Sequence, residues 1–178
     1  MNISRFWKHT AAMLLSCLIL AGCGAGNAEH WAYIHEPEKE VLTLGENGKA
    51  EYKGKKYSYT KDDTTITLRD DTGAEEAHRY VVDGEQMIFY ERSVYTRDTR
   101  GQGEGLTGTW MCGNNLYTFS PEGEFSEENI FFGRYAVDEA AGTIKLMYSD
   151  PIEDSLLYYH LEGDQLTIDY PWPMVHAR

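Results

Sequence analysis

Three histidines, His78, His160 and His176, stand in or beside short apolar stretches. Four groups of carboxylates are close in sequence: Asp62-Asp63, Asp70-Asp71 with Glu75-Glu76, Glu127-Glu128, and Asp150 with Glu153-Asp154. A zinc site needs two or three imidazoles converging with a carboxylate. No His-x-His spacing occurs, and the internal repeat described below sets His78 and His160 at non-equivalent positions, so no metal is expected. Calcium takes six to eight oxygens, which one acidic loop could supply in part. Paired acids could also serve glycosidic cleavage. These acids fall where turns are expected, and solvated turn carboxylates are the simplest reading. No Gly-x-Ser-x-Gly, His-Glu-x-x-His, Walker-type or Cys-His signature is present, and Ser149-Asp150-Pro151 reads as a turn. No catalytic residue and no cofactor is assigned. A non-enzymatic role leads, and a carboxylate-dependent hydrolase is the least favoured alternative.

The thiols are more informative. Residues 1–10 carry Arg5 and Lys8 and no acid, residues 11–20 are mostly apolar, and Ala21-Gly22-Cys23 follows. A charged start, a short apolar core and small residues before a cut make a secretory signal, expected as an N-terminal helix. The apolar run is too short to span hydrocarbon, which takes roughly 20 residues. Leu20-Ala21-Gly22-Cys23 resembles the lipobox of bacterial lipoproteins. That resemblance implies a diacylglyceryl thioether on Cys23 and cleavage between Gly22 and Cys23. It places the mature protein on the extracytoplasmic face of a cell membrane, held in the lipid bilayer through Cys23. Two acyl chains give stable anchoring where one is marginal. Cys17 leaves with the signal, so Cys112 has no thiol partner and reads as a small core residue.

Setting aside residues 1–22 leaves 14 basic and 29 acidic residues, net −15. Nucleic acid is excluded as a partner, because a phosphate backbone needs a basic patch. The charge is uneven. Residues 31–100 hold 11 basic and 15 acidic residues, whereas residues 101–178 hold 3 and 13. The first half, with Lys49, Lys53, Lys55 and Lys56, suits an anionic membrane surface better than the second.

The two halves are copies. Trp31 aligns on Trp110, Leu44 on Phe119 and Asn47-Gly48 on Glu122-Gly123. Residues 57–68 align on 135–146 without gaps at a shift of 78. Tyr80 aligns on Tyr159, and residues 84–89 on 163–168, at a shift of 79. The ends, residues 94–97 and 175–178, also match. The period within each copy is two: Leu42 and Leu44, Ile66 and Leu68, and Met87 and Phe89 face one side, as do Tyr117 and Phe119, Ile144 and Leu146, and Leu166 and Ile168. Glycine-bearing turns separate these runs. The expectation is all-β: two tandem antiparallel meanders of about six to eight short strands, each closed as a small barrel or sandwich. The organisation is a signal over 1–22, a tether over 23–29, copy 1 over 30–98, a glycine-rich linker over 99–105 and copy 2 over 106–178. One barrel shared by both copies is the alternative, which the flexible linker disfavours.

Gly108-Thr109-Trp110, the 117–123 aromatic hairpin, Gly133-Arg134-Tyr135 and the Asp164-Gln165-Leu166-Thr167-Ile168 strand resemble the small lipocalin-like domains of bacterial lipoproteins. In that family a terminal arginine packs on the opening tryptophan. The resemblance thus implies cation–π pairs of Trp110 with Arg178 and of Trp31 with Arg97. Tyr170-Pro171-Trp172-Pro173 breaks the alternation, and its prolines argue against a central strand. It is expected to be an exposed edge that closes a barrel end or offers a binding patch through Tyr170 and Trp172. The partner would be an envelope protein or a small ligand. An inhibitor or immunity-type lipoprotein acting on a hydrolase is the alternative.

Overall fold

The computed structural model describes residues 28–98, 103–149 and 151–178. The signal segment, the proposed cleavage point at Gly22 and Cys23, and most of the tether lie outside the described residues. Short runs of alternating burial, ended by turns, give fourteen strands. They are β1 (Glu29–Tyr33), β2 (Glu40–Leu44), β3 (Lys49–Tyr52), β4 (Lys55–Lys61), β5 (Thr65–Arg69), β6 (Glu75–Asp83) and β7 (Gln86–Arg97) in copy 1. Copy 2 supplies β8 (Gly108–Cys112), β9 (Asn115–Phe119), β10 (Glu124–Glu127), β11 (Phe131–Asp138), β12 (Thr143–Tyr148), β13 (Ser155–Glu162) and β14 (Gln165–His176). All pairings are antiparallel, and the strands form one sheet that closes when β14 returns to β1. Among the described residues no helix is long and apolar enough to cross a membrane.

The expectation of two separate tandem units is corrected by one long-range pairing. β7 and β14 run side by side from Gln86–Val175 to Thr96–Gln165. This ribbon divides the sheet into two rings. The first half of β7 pairs with β6 and its end pairs with β8. The first half of β14 pairs with β13 and its end pairs with β1. Each copy therefore starts its last strand in its own ring and finishes it in the other. The packing agrees. Met174 of copy 2 is buried with Trp31, Leu42, Ile66, Met87 and Phe89, while Tyr95 of copy 1 is buried with Trp110, Phe119, Leu146 and Leu166. Counting the ribbon strands in both, each ring has eight strands, a size whose interior side chains fill.

The repeat is a pseudo-twofold. A shift of 79 carries Glu91 onto Tyr170, and these two residues are direct partners in the ribbon, so the axis passes between them. The equivalence at the strand ends is also 79. Arg97 opposes Trp110, and His176 opposes Trp31. The match of residues 94–97 to 175–178 is thus two residues out of register. A similar correction applies to β4. Tyr59 donates its N–H to Gly48 O and its hydroxyl to Gly45 O; Tyr135 does the same to Gly123 O and Ser120 O. Tyr59, not Tyr57, is the counterpart of Tyr135, and the β4–β5 loop absorbs the two-residue difference.

Candidate functional site

Splitting the sheet leaves two stretches of backbone with a neighbour on one side only. β6 stops pairing with β7 at Phe89, and β8 joins at Thr96. β13 leaves β14 after Asp169, and β1 joins at Met174. The first seam is bridged: His78, which is buried, donates from Nδ1 to Tyr90 O at 3.1 Å and lies between the Phe89 and Tyr52 rings. Its Nε2 has no hydrogen-bond partner and sits 3.6 Å from Glu76 Oε2.

The second seam is where Tyr170-Pro171-Trp172-Pro173 falls. Ile34 N–H donates to Pro173 O at 3.1 Å, so the polar edge of Pro173 faces β1. Pro171, two residues earlier, faces the same way, and Tyr170 and Trp172 direct their main-chain groups to β7. The prolines lie inside a fully paired strand because their missing N–H groups fall on its one free edge. The expectation that they exclude a central strand holds for that edge alone.

A groove of about 460 Å³ runs along this seam. Its walls come from four separated parts of the chain: His35 after β1, Ile88 and Tyr90 on β7, the segment from Glu153 to Leu156 that opens β13, and residues 170–173 of β14. The Trp172 ring centre is 5.2 Å from Tyr33, 5.5 Å from Tyr170 and 6.2 Å from His35. Tyr33 and His35 stack in parallel at 5.6 Å. The two residues assigned as a binding patch, Tyr170 and Trp172, both line the groove. His35, Ile88, Tyr90 and Leu156 were not anticipated; period-two reading puts Ile88 and Tyr90 on the outer face, but only the ribbon register brings them opposite Pro173 and Pro171.

Each ring also holds a carboxylate that collects tyrosine hydroxyls. Glu91 accepts from Tyr33 and, at 2.6 Å, from Lys53 Nζ. Glu127 accepts from Tyr117 at 2.7 Å and Tyr148 at 2.6 Å. Burial first, and the neighbouring carboxylate second, push Tyr33, Tyr52, Tyr117 and Tyr148 well above the ordinary tyrosine range. Burial does the same to Tyr95. A tyrosine whose pKa is raised by folding stabilises the protein fully below its unfolded value of about 10, and that contribution is lost as pH climbs past it. Each one held neutral steepens the loss by up to ~1.4 kcal/mol per pH unit. The urea midpoint is therefore expected to drop sharply between pH 9 and pH 11, with phenolate absorbance appearing together with loss of the β-sheet signal. Ordinary titration near pH 10 on an intact sheet would count against this arrangement.

The remaining assigned residues separate. Arg97 stacks 4.2 Å over Trp110, not over Trp31, and donates to Asp164 Oδ1 (2.9 Å), Thr107 O (2.6 Å) and Gly105 O (2.6 Å). This draws the described part of the linker onto the tryptophan. Trp31 is instead stacked by His176 at 4.1 Å. Arg178 donates its backbone N–H to Pro37 O. Register explains the exchange of partners: each arginine or histidine follows its strand into the other copy's ring. The histidines do not converge, since His78 is buried in the first seam, His176 covers Trp31, and His160 lines a hollow with Arg79, Tyr158 and Asp169. Asp62 caps Thr64 and Thr65 N–H, and Asp70 caps Thr72 and Ala74 N–H, as turn acids do. Among the described residues no group of three or more His, Cys, Asp or Glu could hold a metal ion. Cys112 is a free, half-buried thiol against the second core. No family model, curated protein or solved structure matches this chain.

Proposed function

We propose that this chain is a lipid-anchored, extracytoplasmic binding module without catalytic activity, built from two interlocked lipocalin-like rings. The observation that carries the binding role is the groove beside Trp172. It is concave, its walls are aromatic and aliphatic, a few polar groups rim it, and its volume lies within the range of small-molecule sites. The side chains on the inner faces of the rings are packed into two cores. Anchoring rests on Leu20-Ala21-Gly22-Cys23 and the apolar run before it. The lipocalin-like reading rests on the Gly108-Thr109-Trp110 opening strand and the closed meander.

Native mass spectrometry of the unlipidated chain, after incubation with small molecules extracted from its own envelope, tests the binding role. The wild-type chain is expected to retain a ligand that Trp172→Ala releases. Equal retention, or none by either, overturns it. Anchoring is tested separately: labelling with a clickable palmitate analogue is expected to disappear in Cys23→Ala.

An inhibitor or immunity-type role is supported by a different surface. The β10–β11 hairpin turns on Glu128 and Asn129, both at positive φ, and lifts Ile130-Phe131-Phe132 outward. Ile130 is 69% and Phe132 55% exposed. Three consecutive exposed apolar residues suit a protein contact.

A further inference from the structure

The first seam holds a buried polar group where the repeat places an apolar one. Glu76 and His78 are alternate residues of β6 and project from one face, opposite Leu68 and Ile66 of β5. In copy 2, Leu146 and Ile144 stand opposite Ser155 and Leu157. Leu157 is fully buried in the second core, so the matching position of a ring closes on an aliphatic side chain. His78 is buried too, but it is an imidazole. Tyr90 O can only accept, so the hydrogen bond to it fixes a proton on Nδ1 and leaves the lone pair on Nε2. Nε2 has no hydrogen-bond partner among the described residues. What faces it is a second acceptor, Glu76 Oε2, at 3.6 Å. Two acceptors so placed call for a positive centre between them. The gap is too long for a direct hydrogen bond and too narrow for a bridging water. It matches a metal ion. With bonds of about 2.0–2.1 Å to nitrogen and about 2.0–2.2 Å to oxygen, two zinc ligands stand about 3.4 Å apart at the tetrahedral angle and about 3.6 Å apart at 120°.

We infer that His78 Nε2 and the Glu76 carboxylate bind a divalent transition-metal ion of the zinc class. Imidazole beside a carboxylate suits zinc, copper or nickel, whereas calcium and magnesium take oxygen ligands. The Nδ1–H bond to a backbone carbonyl is the outer contact that orients a metal-bound imidazole. The Phe89 and Tyr52 rings hold the imidazole between them, so the nitrogen ligand is preset. The Glu76 side chain is 62% exposed and is the ligand an incoming ion meets first. Glu75, Ala77 and Arg92 complete the walls of a hollow of about 280 Å³ at this pair, with room for the water molecules that fill the remaining positions. Arg69 is bound to Glu75, and Arg92 is fixed on Asp169, so neither guanidinium takes the Glu76 carboxylate. With two protein ligands the site stays open and exchanges its ion, unlike a closed four-ligand structural centre. One histidine suffices, so the separation of the others has no bearing on it. The inference is independent of the Trp172 groove.

Zn²⁺ alone is the probe, titrated into the unlipidated chain. Long-range proton–nitrogen spectra resolve each imidazole. The His78 Nε2 resonance is expected to move as zinc is added, while Nδ1 keeps its proton. Followed on that resonance, Glu76→Gln is expected to weaken binding at least tenfold. His78→Leu, which installs the residue that copy 2 carries, is expected to abolish binding at this site with the far-ultraviolet circular dichroism unchanged. Should that variant not fold, the His78 resonance and Glu76→Gln decide. Zinc is also expected to raise the urea midpoint of the wild-type chain more than that of Glu76→Gln. Movement confined to the other histidines means adsorption at the surface only and overturns the inference. Equal affinity in Glu76→Gln overturns it too. So does a His78 resonance that answers to acid and not to zinc, in which case a proton fills the gap.

Discussion

Deleting residues 171–178 is expected to unfold the first ring, although that ring is built mainly from residues at the other end of the chain. The deletion removes Met174, which is fully buried against Trp31, Leu42, Met87 and Phe89. It also removes the partner of β1 and leaves the first half of β7 with one neighbour. Truncating a buried methionine alone costs about 2–5 kcal/mol. Removing the half-strand adds an open edge on each side, which together exceeds the 5–15 kcal/mol that holds a typical domain. In a heteronuclear NMR spectrum, resonances of β1 to β6 should collapse to the random-coil region. Those of β8 to β13 should stay dispersed, because Gln165–Asp169 still pairs with both β13 and β7. Two self-contained copies would give the opposite result, an intact first copy and a damaged second. Met174→Ala serves as the milder control, with a drop of about 2–5 kcal/mol and no loss of fold.

Trp110→Ala is expected to be the most damaging single substitution, at about 4 kcal/mol or more in urea unfolding. Trp110 is fully buried and donates from Nε1 to Leu106 O at 2.8 Å. Its other face supports the Arg97 guanidinium, whose side chain is only 11% exposed. Removing the ring opens a large cavity and loosens Arg97 from Gly105 and Thr107 together. Trp31→Ala removes an equally buried ring, but its stacking partner is an exposed His176. The difference between the two variants therefore measures the buried arginine contact. If Arg97→Ala in the Trp110→Ala background costs as much as in the wild type, the two side chains are not coupled.

Most of the strands could be read from alternation, because each has one face in a core. Leu42 and Leu44, Ile66 and Leu68, Met87 and Phe89 and their copy-2 counterparts are all buried as their period requires. The exchange of strand ends could not be read that way. Closing each ring with its own copy's end or with the other's buries the same side chains, so hydrophobic pattern does not distinguish them. One signal was present: residues 86–97 and 165–176 run for twelve residues without a turn, longer than one ring of this size needs. The Trp–Arg expectation failed for the same reason, since it assumed that each copy caps its own tryptophan. Pro171 and Pro173 mark the groove segment, yet half of its walls stayed hidden. His35, Ile88, Tyr90 and Leu156 come together only through long-range register, which local sequence does not carry.

The return of β14 to β1 sets an order of events during biosynthesis. Trp31 and its partner His176 stand 145 positions apart, so the first ring stays open until β14 has been made. Contacts that distant slow folding, because loop closure must precede the contacts that reward it. Residues 174–176 of β14 are the ones that lock β1 into the first ring.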